Sequence, residues 1–145
     1  MRRLSVTARA EAVETRPPLL LSAEDHDRLV ALAAVMRIRN PLVARLLTEE
    51  TDRAEVVPAG QVPPDVVEVG SLVEFRDTAS GETREVRVVL PHETDIDAGR
   101  ISILSLIGAG LIGVAQGRSI DWPTQDGRLR SLVLLRVEPP ARAGG

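Results

Sequence analysis

Cysteine is absent from this sequence, and so are lysine and tyrosine; Phe75 and Trp122 are its only aromatic residues. Without cysteine there are no disulfides and no thiolate metal sites. Without lysine, Schiff-base chemistry and the phosphate-binding P-loop are excluded, and all 18 basic residues are Arg. With so few aromatics, Val, Leu, Ile and Ala must fill the interior, and an apolar content of 43% is enough for a core. The charge is not of one sign: 18 basic residues face 21 acidic ones, for a net charge of −3. That balance argues against direct, sequence-specific nucleic-acid binding, which calls for a clustered basic face, and leaves a protein partner open. No apolar run approaches the roughly 20 residues of a membrane span. The longest candidate, Ile101 to Ala115, is interrupted by Ser102, Ser105 and three glycines. The first residues, MRRLSVTARAEAVETRPP, begin basic but lack the apolar stretch of a signal peptide, so a cytoplasmic protein is expected.

The chain has the length of one ordinary domain, or of a small domain with a helical appendage. Met1 to Pro18 is rich in Arg, Ala, Glu and Thr and reads as a flexible arm. Ser22 then opens a helix as N-cap, and Leu29, Leu32, Ala33 and Met36 form one apolar stripe that ends near Arg37. Asn40 and Pro41 open a second helix as N-cap and first residue, with Leu42, Val43, Leu46 and Leu47 on its apolar face and Glu49 and Arg53 at i and i+4. The connection through Ile38, Arg39 and Asn40 is short. Residues 19–57 are therefore expected to form an antiparallel helical hairpin of about 23 Å per arm, at 1.5 Å per residue. Its tip carries Arg37, Ile38, Arg39 and Asn40 and no carboxylate. Its acids, Glu24, Asp25, Asp27, Glu49, Glu50, Asp52 and Glu55, lie at the base and read as a solvated face with N-cap roles.

Residues 58–65, including AGQVPP, read as a linker. Beyond it the period changes to that of strands. Val66, Val67 and Val69 suggest a short β run. Ser71–Asp77 and Glu85–Leu90 alternate and pair as a hairpin across Ala79-Ser80-Gly81. Pro91 to Ala98 is a polar loop, Pro123 to Gly127 a hairpin turn, and Arg128 to Val137 the last strand. In that strand Leu132, Leu134 and Arg136 should share one face and Val133, Leu135 and Val137 the other. Residues 139–145 form a punctuated tail. The sum is an α+β fold: a short antiparallel helical hairpin, then a twisted, mainly antiparallel sheet over 66–138 with one short helix.

Between the two halves of the sheet lies DIDAGRISILSLIGAGLIGVAQGRSIDW, from Asp95 to Trp122. It reads as a strand from Arg100 to Leu104, a glycine-rich helical turn from Leu106 to Gly113, and a strand opening near Arg118. Gly108, Gly110 and Gly113 spell the dinucleotide-binding G-x-G-x-x-G. The helix and crossover needed to present amides to a pyrophosphate do not fit in the few residues before Arg118. The glycines are better read as bringing a short helix close to a sheet. His26 and His92, isolated and without a cysteine partner, are weak as metal ligands and read as exposed and uncommitted. No nucleophile elbow is present. No catalytic, cofactor or metal residue is assigned.

The run DIDAGRISILSLIGAGLIG resembles the C-terminal domain of the bacterial Gre transcription elongation factors, whose pattern is D-I-x-x-G-K-I-S-x-x-S-P-x-x-x-x-L-I-G. Asp95, Ile96, Gly99, Ile101, Ser102, Ser105, Leu111, Ile112 and Gly113 match it, Arg100 replaces Lys, and Leu106 stands where the family has Pro. The following GRSIDWPTQDG, with Gly117, Ile120, Trp122 and Gly127, is similar to a shorter branch of that family, the regulators of nucleoside diphosphate kinase. The resemblance implies an FKBP-like C-terminal fold and a polymerase-docking surface at Ser105, Leu106, Ile107 and Gly108. It implies bacterial RNA polymerase as partner, with docking at the secondary channel in competition with Gre factors, and no cofactor. The Gre factors hold a catalytic Mg²⁺ with acids at a long coiled-coil tip. The short, Arg-bearing tip here implies no cleavage stimulation and a non-enzymatic regulator. Other readings are an active Gre-type elongation factor, an FKBP-like prolyl isomerase, for which the aromatics are too few to line the pocket, and an adaptor for another protein.

Overall fold

A computed structural model describes residues 17–123 and 128–140. The expected arm up to Arg16, most of the turn after Pro123 and the end of the tail lie outside the described residues.

Ser22 caps the first helix as expected: its hydroxyl oxygen accepts from the Asp25 N–H at 3.0 Å. Helix α1 spans Ala23–Arg39, slightly past the end that its apolar stripe suggested. Asn40 alone connects it to α2, Pro41–Arg53. The Asn40 N–H closes α1 on the Met36 carbonyl at 2.8 Å, while its side chain accepts from Val43 N–H at 3.3 Å and starts α2. One residue thus ends one helix and begins the next, which turns the chain sharply. The expected Glu49–Arg53 pair is replaced by Arg53 on Glu50, at 3.0 Å, and Arg45 on Glu49, at 3.9 Å.

Two short strands that the sequence did not signal flank the hairpin. Strand β1, Leu20–Ser22, leads into α1, and β2, Glu55–Val57, leaves α2; they pair in parallel. A parallel pair needs a crossover of a dozen or more residues, and the helical hairpin supplies it.

The remaining strands are β3 (Leu72–Asp77), β4 (Thr83–Val89), β5 (Arg100–Ser102), β6 (Ser119–Pro123) and β7 (Leu129–Glu138), in spatial order β5-β4-β3-β7-β6. Its pairings β3–β4, β3–β7 and β6–β7 are antiparallel; the sheet is nevertheless mixed, because β5 at its edge lies parallel to β4, with Val88 opposite Ile101. The loop at 90–99, folded into two 3-10 turns at Pro91–Glu93 and Ile96–Ala98, carries the chain back along β4 before β5 begins. The expected β run at Val66–Val69 is not a strand of this sheet. It makes a bridge to Ala115 and backbone bonds to Gly113 and Val114.

The expected face assignment of β7 fails in its second half. Glu74 pairs with Arg136 but Phe75 with Leu134, so Leu135 is an extra residue in β7. This bulge reverses the parity of the strand. Leu132, Leu134 and Val137 are buried, while Leu135 and Arg136 face solvent.

Helix α3, Leu106–Leu111, links β5 and β6, which lie at opposite edges of the sheet. No dinucleotide-type β-α-β unit forms here, because the two strands are not neighbours. A single apolar core joins the hairpin, through Leu29, Ala33, Val43 and Leu47, to Val73, Phe75, Leu111, Ile112 and Leu134. Each of the larger of these buried side chains, Ala33 excepted, contributes on the order of 1.5–3 kcal/mol.

The base of the hairpin is in part the solvated acidic face expected: Glu24, Asp27, Asp52 and Glu55 are exposed and Glu49 half-exposed, but two of the seven acids depart from it. Asp25 and Glu50 are buried. Glu50 is held by Arg53, which also donates to the Pro17 carbonyl at 2.7 Å. Asp25 reaches across to the sheet half: one carboxylate oxygen accepts from Val69 N–H at 3.1 Å, the other from Arg28 at 3.3 Å. His26 is also not free. It is half-buried, with Nε2 3.1 Å from the Thr51 carbonyl. His92 is exposed.

Burial raises the Asp25 pKa above its ordinary value, against the lowering effects of Val69 N–H and Arg28. For a raised carboxylate, the stability contribution is complete below the unfolded pKa of about 3.9 and is lost as pH rises through the folded value. Asp25→Asn keeps an acceptor oxygen and cannot ionise. The stability of the wild type relative to this variant should therefore fall as pH rises just above the ordinary carboxylate range. Asp25→Ala leaves Val69 N–H without its acceptor and should cost about 1–3 kcal/mol. Urea unfolding from acid to neutral pH checks both, and a wild-type advantage that grows with pH would reverse the argument.

Candidate functional site

The turn into α3 is fixed by two serines. Ser105 Oγ donates to the Ser102 carbonyl at 2.6 Å and accepts from Gly108 N–H at 3.0 Å, which caps the helix. Ser102 Oγ accepts from Leu104 N–H at 2.9 Å. Leu106 and Ile107 follow, half-buried. Gly108 differs from its three predicted companions. It is buried, and a Cβ there would lie 2.1 Å from the Ser102 carbonyl oxygen. It brings the helix down onto the turn and offers no side chain to a partner.

Ser105, Leu106 and Ile107 form one wall of a groove of about 380 Å³ that no sequence pattern announced. Phe75 from β3, Ile101 from β5, Trp122 from β6 and Leu132 from β7 complete its apolar lining. Both aromatic residues of the chain are therefore in one groove, although they had seemed too few to line a pocket. The signal was present but indirect: each sits at a core-facing position of a strand in the same sheet. Charged groups line it too. Arg84 lies over the Phe75 ring, 5.9 Å from its centroid. Arg130 pairs with Asp77 at 3.1 Å, and Asp77 also accepts from Ala79 N–H at 2.9 Å in the β3–β4 turn.

Trp122 is only 4% exposed, and its indole Nε1 has no hydrogen-bond partner. The ring is backed by α3: a Cβ on Gly110 would lie 2.8 Å from its Cδ2 and Cε2 atoms. Only a glycine lets the helix backbone approach the indole this closely.

The second predicted site is the hairpin tip. Arg37, Ile38 and Arg39 are exposed, Ile38 at 92%, the highest value among the exposed large apolar residues described. Asn40 is half-buried and its polar groups serve the two helix ends. The arginines sit in the last turn of α1, where a cation complements the helix dipole. Among the described residues no group of three or more His, Asp or Glu could hold a metal ion, and no helix is long and apolar enough to cross a membrane.

Comparison with known proteins gives a consistent result. Residues 62–139 match the family model for the C-terminal domain of transcription elongation factor GreA/GreB, and residues 17–57 match the Rnk N-terminus. The regulator of nucleoside diphosphate kinase of Escherichia coli K12 is 30% identical over 131 residues, covering 90% of this chain and 96% of that protein. Transcription elongation factor GreA of Rhodospirillum rubrum is 41% identical over 75 residues, which is 52% of this chain and 48% of that factor. Among solved structures, a prokaryotic transcription elongation factor GreA/GreB from Nitrosomonas europaea superimposes with a TM-score of 0.65 at 34% identity, covering 84% of this chain and 98% of that one.

The glycine contacts make a direct prediction. Gly108→Ala puts a methyl group against a backbone carbonyl and Gly110→Ala puts one against a buried ring, and neither neighbour can swing away. Each should cost about 1–3 kcal/mol in urea unfolding, despite alanine's better helix propensity. Wild-type stability for both would mean that α3 stands off the sheet.

Proposed function

Because the chain belongs to the Gre family of transcription elongation factors, in its branch of regulators of nucleoside diphosphate kinase, we propose that it is a non-enzymatic regulator that binds bacterial RNA polymerase at the secondary channel. The sheet half docks at the channel rim through Ser105, Leu106 and Ile107. The hairpin occupies the entrance and competes there with longer Gre-type factors. Nucleoside diphosphate kinase is then affected through expression rather than by contact.

The observation that carries the reading is the form of the hairpin. Its helices have 17 and 13 residues, about 25 and 20 Å at 1.5 Å per residue. A hard cation such as Mg²⁺ takes oxygen ligands, carboxylates above all. Here the carboxylates lie at the base, where Asp25 and Glu50 are buried in ion pairs, and the tip is Arg37-Ile38-Arg39-Asn40. Such a tip has no means of holding a metal ion, so binding would not stimulate transcript cleavage. Its two guanidiniums suit an acidic channel wall.

A pull-down of core RNA polymerase, with and without a competing Gre factor, tests the reading. Displacement by the Gre factor is expected. Absence of binding at micromolar concentration would remove the polymerase from the reading and leave an adaptor for another protein. Reversing both tip charges, Arg37→Glu with Arg39→Glu, should weaken binding by about tenfold at low salt and less at high salt, because exposed charges are screened. Unchanged affinity would leave the tip without a contact.

A further inference from the structure

We propose that the outer face of α1 binds the same face of a second copy of this chain, the two helices antiparallel about a two-fold axis, and that this dimer conceals the hairpin tip. The argument starts from composition. Residues 29–36, LVALAAVM, are eight consecutive apolar residues, so α1 is apolar on every side over about two turns. A helix of that kind is ordinarily covered all round. Here one side is covered: Leu29 and Ala33 are buried in the core, while Val30, Ala31, Ala34, Val35 and Ile38 are exposed. Their spacing of three and four residues puts these five on one stripe. Three of the seven exposed large apolar residues described, Val30, Val35 and Ile38, lie on it, and such a patch marks an interaction site.

The charges at the two ends of the stripe name the occupant. Asp27 lies on it one turn before Val30, with its side chain 88% exposed and His26 at 3.9 Å as its ion-pair contact. Glu24, on the same side, is held by Arg28 at 3.5 Å. At the other end Arg37 and Arg39 flank Ile38, and among the described residues neither has a carboxylate partner. The shallow groove between α1 and α2, beside the stripe, has the same polarity: Glu49 and Asp52 at the base, Arg37 and Arg45 toward the tip, and small Ala34 and Ala44 between them. A partner of one charge sign would match one end and oppose the other. An antiparallel copy matches both. With the axis at the level of Leu32, Val30 of one protomer meets Ala34 of its partner, and Asp27 meets Arg37. These charges stand ten residues, about 15 Å, apart on each helix. The contact is isologous, so each pair forms twice. One helix face is at the small end of interface sizes, so the dimer is a weak one, with a dissociation constant on the order of 10–100 µM. Arg37 then faces Asp27 in the dimer and the channel in the docking reading above, so the two complexes exclude one another. That exclusion rests on the docking reading; the dimer does not.

Sedimentation of the full chain from about 1 µM to about 500 µM should show a reversible monomer–dimer equilibrium within that range. Ala34→Glu changes an exposed position and leaves the monomer folded, but it places a carboxylate against Val30 of the partner. It should raise the dissociation constant by at least about tenfold. Asp27→Arg alone and Arg37→Asp alone each set like charges opposite one another, and each should raise it by about three- to tenfold. The two together exchange the charges and should restore it to within about twofold, which general stickiness would not do. Core RNA polymerase, added to the dimer, should draw out monomers. A chain that stays monomeric throughout overturns the proposal and leaves the face to the polymerase or to residues 1–16. A dimer indifferent to Ala34→Glu and to the charge exchange also overturns it, since it would use another surface. Polymerase that takes up the intact dimer overturns the concealment of the tip. A dimer that responds as stated, with no polymerase binding, keeps the self-contact and overturns the docking reading; polymerase binding by a strict monomer does the reverse.

Discussion

The approach of the α3 backbone to its neighbours is the constraint on which the rest of the structure depends. At Gly108 the helix rests on the Ser102 carbonyl, and at Gly110 it rests on the indole of Trp122. Just beyond it, Gly113 turns the chain with φ +81°, close to Leu19 and Leu21. Leu20 N–H bonds to the Gly113 carbonyl at 3.0 Å. These contacts bring β6, the turn after β5 and the foot of the hairpin to a helix of only six residues. Dispersion contacts fall away within a fraction of an ångström, so side chains in place of these glycines would open gaps rather than merely crowd the site.

Much of this was legible in the sequence because local chemistry dictates it. Ser22 and Asn40 mark helix ends by local hydrogen bonds and Pro41 by its fixed φ and missing N–H, and the structure places those ends accordingly. The glycine spacing also had a physical reading, since a nucleotide fold could not be built in the available length. The family resemblance carried by Asp95 to Trp122 agrees with the comparisons.

What was not legible is non-local. The inserted residue at Leu135 is a consequence of how β7 meets β3, and no alternation pattern within β7 reveals it. The parallel β1–β2 ribbon depends on the hairpin returning its ends to the same place, and each strand is too short to show a period. The parallel placement of β5 depends on the return path of the 90–99 loop. Asp25 looked like a solvated charge because its partner Val69 N–H is distant in sequence, and Glu50 because its burial comes from tertiary packing, although its partner Arg53 is only three residues on. The candidate site had the same difficulty. Ser105, Leu106 and Ile107 stood out by resemblance, whereas Phe75, Arg84, Trp122 and Arg130 come from four different strands and meet only when the sheet is assembled.

The two surfaces proposed to meet a partner are therefore not independent. The groove wall is the N-terminal end of α3, and the hairpin is anchored just past its C-terminal end through Gly113, Leu19 and Leu21. Six residues of helix span about 9 Å. Closely packed interiors transmit displacement rather than absorb it. The angle at which the tip arginines leave the sheet half is accordingly set by the same short helix that forms the groove. The Asp25–Val69 bond and the β1–β2 ribbon then hold that angle from the hairpin's side. A partner docked as proposed on Leu106 and Ile107 would meet a hairpin already aimed, with no further entropy lost in orienting it.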